Sequence, residues 1–129
     1  MIDCLVLGAG AAGLMCAATA AATGRRVVLI DHNDAPGKKI RISGGGRCNF
    51  TNVGTTWKNF VSQNPEFARS ALSQYEPQDF IELVNSYGIR WHEKKLGQLF
   101  CDDSAQQIIS MLVTECERAG VKIHLSTSV

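Results

Sequence analysis

An α/β fold built on parallel strands is the architecture this sequence predicts, and three observations predict it. A short apolar run over residues 3–7 ends at a glycine. Small residues fill 11–22, and a second apolar run occupies 26–30. Strand, tight turn, helix and strand follow one another within about thirty residues, the length of a βαβ unit.

The first run carries no polar alternation, so its strand is expected to be buried on both faces. The alanine-rich helix is stopped by Thr23-Gly24, with Gly24 in the C′ position. Arg26 to Ile30 form the second strand. From residue 32 to about 56 neither a helical nor an alternating pattern is present. Unstructured loops beyond about 12–15 residues are uncommon in compact domains unless they carry function. Past Pro65, Phe67, Ala68, Ala71, Leu72 and Tyr75 share one face of a short helix. Phe80, Leu83, Val84 and Tyr87 do so in a second, with Pro77 in its first turn and Gly88 at its C-cap. Residues 89–94 and 97–101 read as two short strands joined by a turn. Ser104 with Gln107 fits a capping box opening a third helix, whose apolar stripe is Ile108, Ile109, Leu112, Val113 and Cys116. Gly120 ends that helix, and 121–126 alternates as a strand. These stripes are expected to be core packing.

A length of 129 residues suits one ordinary domain. The formal net charge of +1 makes no electrostatic case for nucleic acid or an acidic membrane surface. Nor does it support a flavin enzyme acting on tRNA. Five cysteines without a CxxC pair argue against a disulfide framework and structural zinc, and suit a reducing cytoplasm. Between Asp3 and Arg25 no residue is charged, yet Gly8, Gly10, Gly13 and many alanines make that stretch a poor membrane span. A signal peptide needs a basic n-region, which is missing. His32, His92 and His124 share no metal-ligand spacing, so no metal is expected.

Gly8-Ala9-Gly10-Ala11-Ala12-Gly13 has GxGxxG spacing, follows a predicted strand and opens a helix. Gly8 permits the tight turn, Gly10 leaves backbone open to a pyrophosphate, and Gly13 lets helix and strand pack closely. The free N–H groups of the first turn, Ala11 and Ala12 among them, suit a diphosphate. Asp31 ends the second strand, where a carboxylate accepts from adenosine ribose hydroxyls and disfavours a 2′-phosphate. The neighbouring His32 is grouped with it. This unit alone cannot separate FAD from NAD. The long segment after it favours a flavin. Gly44, Gly45 and Gly46, flanked by Ser43 and Arg47, offer bare backbone to a flat ring system. Lys38, Lys39, Arg41 and Arg47 are available to neutralise a diphosphate. Cys48 has no sequence neighbour to pair with and reads as structural.

The string Gly37-Lys38-Lys39-Ile40-Arg41-Ile42-Ser43-Gly44-Gly45-Gly46-Arg47-Cys48-Asn49-Phe50-Thr51-Asn52 closely resembles a motif of the BaiN/YhiN-like NAD(P)/FAD-dependent oxidoreductases, a group that includes aminoacetone oxidase-type flavoproteins. The glycine turn and Leu96-Gly97-Gln98-Leu99-Phe100 are similar to that family too, so the resemblance runs along essentially the whole chain. It implies that Gly8, Gly10, Gly13 and Asp31 bind the ADP half of FAD. Lys39 and residues 43–49 would lie near the flavin and ribityl chain, and Val129 would approach the adenine. Two residues depart from the family pattern: Asp31 stands where Glu is common, and Cys101 where proline often follows the phenylalanine.

The resemblance also implies a longer protein, with this chain the N-terminal portion of a two-domain flavoprotein fold and inactive alone. Residues 1–31 would be the dinucleotide-binding βαβ unit, 32–56 the flavin-side glycine-rich loop, and 57–129 the helices and strands completing this portion. The expected activity is hydride transfer between FAD and a nicotinamide or small organic substrate, with NAD(P)H as a possible donor. No nucleic-acid or membrane partner is expected, and catalytic residues are left unassigned. The competing readings are a non-catalytic FAD- or ADP-binding module and an NAD-binding dehydrogenase domain.

Overall fold

The chain runs β1 (Cys4–Leu7), α1 (Ala11–Ala21) and β2 (Val27–Ile30) before a long excursion. The excursion holds α2 (Lys38–Ile42), β3 (Asn49–Asn52), α3 (Arg69–Gln74), α4 (Pro77–Ser86), β4 (Trp91–Glu93) and β5 (Gln98–Cys101). α5 (Gln106–Ala119) and β6 (Lys122–His124) bring the chain back. This computed structural model describes all residues, 1–129.

Two sheets result. β2 lies between β1 and β6 with all three parallel, Leu5 opposite Val28 and Ile30 opposite His124. β5 lies between β3 and β4 in an antiparallel sheet built entirely from the excursion. The α/β architecture is the one predicted.

α1 packs against β1, β2 and α5. Its small residues permit this: Ala17 and Ala21 are buried and present little bulk to α5. Leu14, Leu29, Ile108, Met111, Leu112 and Cys116 fill the space between these layers. The Cys116 thiol donates to the Leu14 carbonyl at 3.2 Å, so its one polar group is satisfied within the core. At α4, Pro77 occupies the first turn, the Glu76 N–H donates to Asp79 at 2.8 Å, and left-handed Gly88 follows the last turn. Gly120 caps α5 in the left-handed conformation, as its position in the sequence implies. No helix is long and apolar enough to cross a membrane.

Several expectations change. The segment 32–56 contains a short helix, α2, and a strand, β3; each is too short for periodicity to reveal. β1 is not buried on both faces. Leu5 and Leu7 remain 52% and 62% exposed, because the helices cover only the other side of the parallel sheet. The stripe assigned to the helix near Phe67 does not reach the core: α3 buries no residue, and Phe67 is 84% exposed. The capping box at Ser104 does not form. α5 begins after Ala105, Ser104 Oγ accepts from the Gln106 N–H at 3.1 Å, and the Gln107 side-chain oxygen is buried without a partner. The last strand spans only Lys122–His124, and α1 ends at Ala21.

Leu29 is fully buried in the central strand. Leu29→Ala is expected to destabilise the fold by about 2–5 kcal/mol, the range for truncating a buried leucine, measured by urea unfolding followed by circular dichroism.

Candidate functional site: the glycine turn and the loop beside it

The turn after β1 closes through backbone and one carboxylate. The Gly8 N–H donates to the Ile30 carbonyl at 2.8 Å, and Gly8 takes a φ of 101°. The Ala9 N–H donates to Asp31 Oδ2 at 2.7 Å. Gly10 then caps α1 with no side chain bonded to the helix end and no acid in the first turn. The N–H groups of Ala11, Ala12 and Gly13 therefore present an uncompensated positive helix end. A Cβ at Gly13 would overlap the Gly8 carbonyl oxygen, whereas one at Gly10 meets nothing within 4 Å. Gly13 is thus required for packing, while Gly10 faces open space. Open space over bare amides fits a diphosphate.

Asp31 does more than the sequence reading assigned to it. Oδ1 accepts from the Asn33 N–H at 2.7 Å while Oδ2 holds Ala9. Each oxygen keeps a lone pair for a ribose hydroxyl. The backbone N–H of Asn33 and then that of Ala9 hold this carboxyl below the usual carboxylate range, with a smaller contribution from His32. His32 Nδ1 stands 3.8 Å from Asp31 Oδ1. Asp31, His32, Gly8 and Val129 line one cavity of about 400 Å³ at the C-terminal ends of the parallel strands. The geometry thus gathers the residues assigned to the adenosine half.

Some of the residues expected on the flavin side line a second cavity, of about 360 Å³: Lys39, Ser43, Cys48 and Asn49, together with Ala11, Phe80 and Ile108, whereas Lys38, Gly44, Gly45, Gly46 and Arg47 do not line it. The Gly37 N–H donates to the Ala9 carbonyl at 2.8 Å, so the loop is fastened directly to the glycine turn. Gly44, Gly45 and Gly46 are all left-handed, with φ of 56°, 63° and 86°. A Cβ on Gly44 would come within 2.8 Å of the Phe100 ring, while Gly45 and Gly46 meet nothing and present open backbone.

The four nearby cations differ. Lys38 is paired with Asp34 at 3.0 Å, and Arg41 donates to Gln106 at 3.2 Å. Lys39 and Arg47 form no ion pair, and Lys39 faces the cavity. Cys48 is not isolated, contrary to the sequence reading, because Cys101 on β5 belongs to the same buried cluster. Burial pushes the Cys48 thiol up, and burial followed by the nearby Cys48 pushes Cys101 up to about 11. Neither thiol is an activated nucleophile.

One constellation escaped the sequence. His92 on β4 and Asp102 just after β5 meet at 2.7 Å. The three histidines are scattered in sequence, and the hairpin register brings this one beside an acid.

The model for the HI0933-like protein Rossmann domain matches residues 2–129. The chain belongs to that family. Its fold is an α/β, Rossmann-like FAD-binding one. The chain is 58% identical over 127 residues to the ribosomal RNA dihydrouridine synthase of Escherichia coli, covering 98% of this chain and 32% of that protein. It is 52% identical over 125 residues to the ribosomal RNA dihydrouridine synthase of Haemophilus influenzae, covering 97% and 31%. A 3-dehydro-bile acid delta(4,6)-reductase of Clostridium scindens is 31% identical over 127 residues, covering 96% and 31%. The chain therefore spans about a third of the length of these relatives. Among solved structures, L-proline dehydrogenase from P. horikoshii aligns with a TM-score of 0.62 at 12% identity, over 99% of this chain and 45% of that one, a likeness of fold.

Gly13→Ala pits two effects against each other. Alanine gains about 1 kcal/mol of helix propensity over glycine, but overlap with backbone costs about 1–3 kcal/mol or more. Net destabilisation is expected, read from the denaturation midpoint.

The Asp31 shift has a sign. Its stabilising contribution is complete above about pH 4, the unfolded carboxylate range, and is lost as pH falls through the lower folded-state value. The stability gap between the unsubstituted chain and Asp31→Asn should be widest near neutrality and shrink below about pH 4, as followed by urea unfolding across pH.

Proposed function

We propose that the protein to which these residues belong is a flavin-dependent ribosomal RNA dihydrouridine synthase, and that this chain holds its FAD. The observation that carries the reading is the 58% identity over 127 residues with the Escherichia coli enzyme of that name. In this reading Gly8, Gly10, Ala11, Ala12 and Gly13 hold the diphosphate, and Asp31, His32 and Val129 the adenosine end. Lys38, Lys39 and residues 43–49 serve the flavin side.

Dihydrouridine is uridine with its 5,6-double bond reduced, so a hydride and a proton must be added across a bond conjugated with a carbonyl. Bound FAD would supply the hydride chemistry; the chain supplies position and electrostatics. A reduced nicotinamide is the electron donor in this proposal. Its setting is the cytoplasm, in keeping with five free cysteines. Closer kinship with the BaiN/YhiN-like group belongs to the same reading. A ribosomal RNA substrate makes nucleic acid a partner of the whole protein, against what the charge of these residues implies. The near-neutral charge describes only these 129 residues, about a third of the relative's length. A second reading, reduction of a small unsaturated carbonyl compound, is favoured by the reductase relative at 31% identity.

Deleting the gene should remove dihydrouridine from ribosomal RNA, as read by mass spectrometry of RNA digests. Unchanged dihydrouridine with a yellow purified protein would favour the second reading. Gly10→Val in the full-length protein should leave the melting temperature within a few degrees while abolishing the flavin absorbance near 450 nm, because a side chain there fills only the diphosphate space. Asp31→Ala should weaken FAD binding by about 1–3 kcal/mol, measured by titrating the apo-protein.

A further inference from the structure

His92 Nδ1 stands 2.7 Å from Asp102 Oδ1. A carboxylate only accepts hydrogen bonds, so Nδ1 carries the hydrogen and Nε2 is the atom left to exchange a proton with a ligand. The imidazole lies at 22° to the Phe100 ring with centroids 6.3 Å apart, and Lys94 Nζ is 4.5 Å from the centroid of the same ring. Register places Asn49, Phe100 and His92 directly across β3, β5 and β4. The three therefore share one face of the sheet, with His92 about 10 Å from Asn49 at two strand spacings. Phe100 is buried on that face against Gly44. The dyad thus occupies the face on which the glycine-rich loop lies, with His92 and Asp102 still 45% and 38% exposed and open to a ligand.

We propose that His92, oriented by Asp102, is the proton donor that completes reduction of the uracil double bond. The proposal rests on the dihydrouridine reading above. Hydride adds to C6, the carbon β to the C4 carbonyl, and the π electrons pass into an enolate. C5 then takes the proton from Nε2–H of the imidazolium. One C–H bond forms at each carbon, the double bond is consumed, the electron pair comes from reduced flavin, which is thereby oxidised, and the imidazole regains its proton from solvent.

The test uses the full-length, flavin-loaded protein with unmodified ribosomal RNA. H92Q should retain flavin content and the rate at which NAD(P)H reduces the flavin, while dihydrouridine formation falls about 10²–10⁴-fold, the usual contribution of a general acid. D102N should show a smaller loss. Nitrogen NMR of the imidazole in flavin-free protein should find the neutral ring protonated on Nδ1, and D102N should abolish that preference. H92Q forming dihydrouridine at the unsubstituted rate, losing its flavin, or an Nε2-protonated ring in the unsubstituted protein would overturn the assignment. If the unsubstituted protein forms no dihydrouridine, the ribosomal RNA reading falls and the His92 role falls with it, an outcome distinct from a loss confined to H92Q.

Discussion

Several segments of the chain meet at Asp31. Its carboxylate holds the Ala9 N–H in the glycine turn and the Asn33 N–H in the segment that leaves β2. Its backbone N–H donates to the His124 carbonyl at 3.0 Å, and its own carbonyl accepts from Thr127 at 2.9 Å. One residue therefore fixes the glycine turn, the exit from the central strand and the end of β6 relative to each other. Charge-assisted bonds to backbone amides are about twice as strong as neutral ones, so a single short acid is an economical fastening. The short side chain keeps both carboxylate oxygens at the turn.

The second fastening runs through the neighbouring loop. Gly37 donates to the Ala9 carbonyl, Ala105 to the Gly46 carbonyl at 2.8 Å, and Cys101 to the Arg47 carbonyl at 2.8 Å. The glycine-rich loop is thereby tied to the turn, to the start of α5 and to the antiparallel sheet. A loop so anchored has its backbone positioned before any ligand arrives, which reduces the ordering cost of binding. The open positions, Gly10, Gly45 and Gly46, sit among closely packed ones, Gly13, Gly37 and Gly44. Some glycines serve the fold, and others leave room for what the fold is to hold.

Legibility in the sequence followed the range of each interaction. The βαβ unit could be read because its signals lie within thirty residues, and Gly13 behaves as the spacing implied. Part of each cavity's lining was also legible, Gly8, Asp31, His32 and Val129 in one and Ala11, Lys39, Ser43, Cys48 and Asn49 in the other, whereas Phe80, Ile108 and Leu112 carry only a core-packing pattern in the sequence. The dyad of His92 and Asp102 was not, because it depends on the register of a hairpin whose tip contains a left-handed Leu96. The stripe near Phe67 misled for a different reason: periodicity says which residues share a helix face, but not whether anything packs against it. Leu5 and Leu7 taught the same lesson in a strand, where an apolar run did not guarantee cover on both faces.

The three consecutive left-handed glycines at 44–46 have a consequence for how the gene can vary. Every single-base missense change in a glycine codon introduces a β-carbon. At each of these positions a β-carbon in the left-handed region costs roughly 1–2 kcal/mol, and at Gly44 it also strikes the Phe100 ring. Substitution in the loop is therefore costly at each of the three positions and most costly at Gly44. Drift can accumulate on the exposed helix α3, where no residue is buried, far more freely than along these three codons.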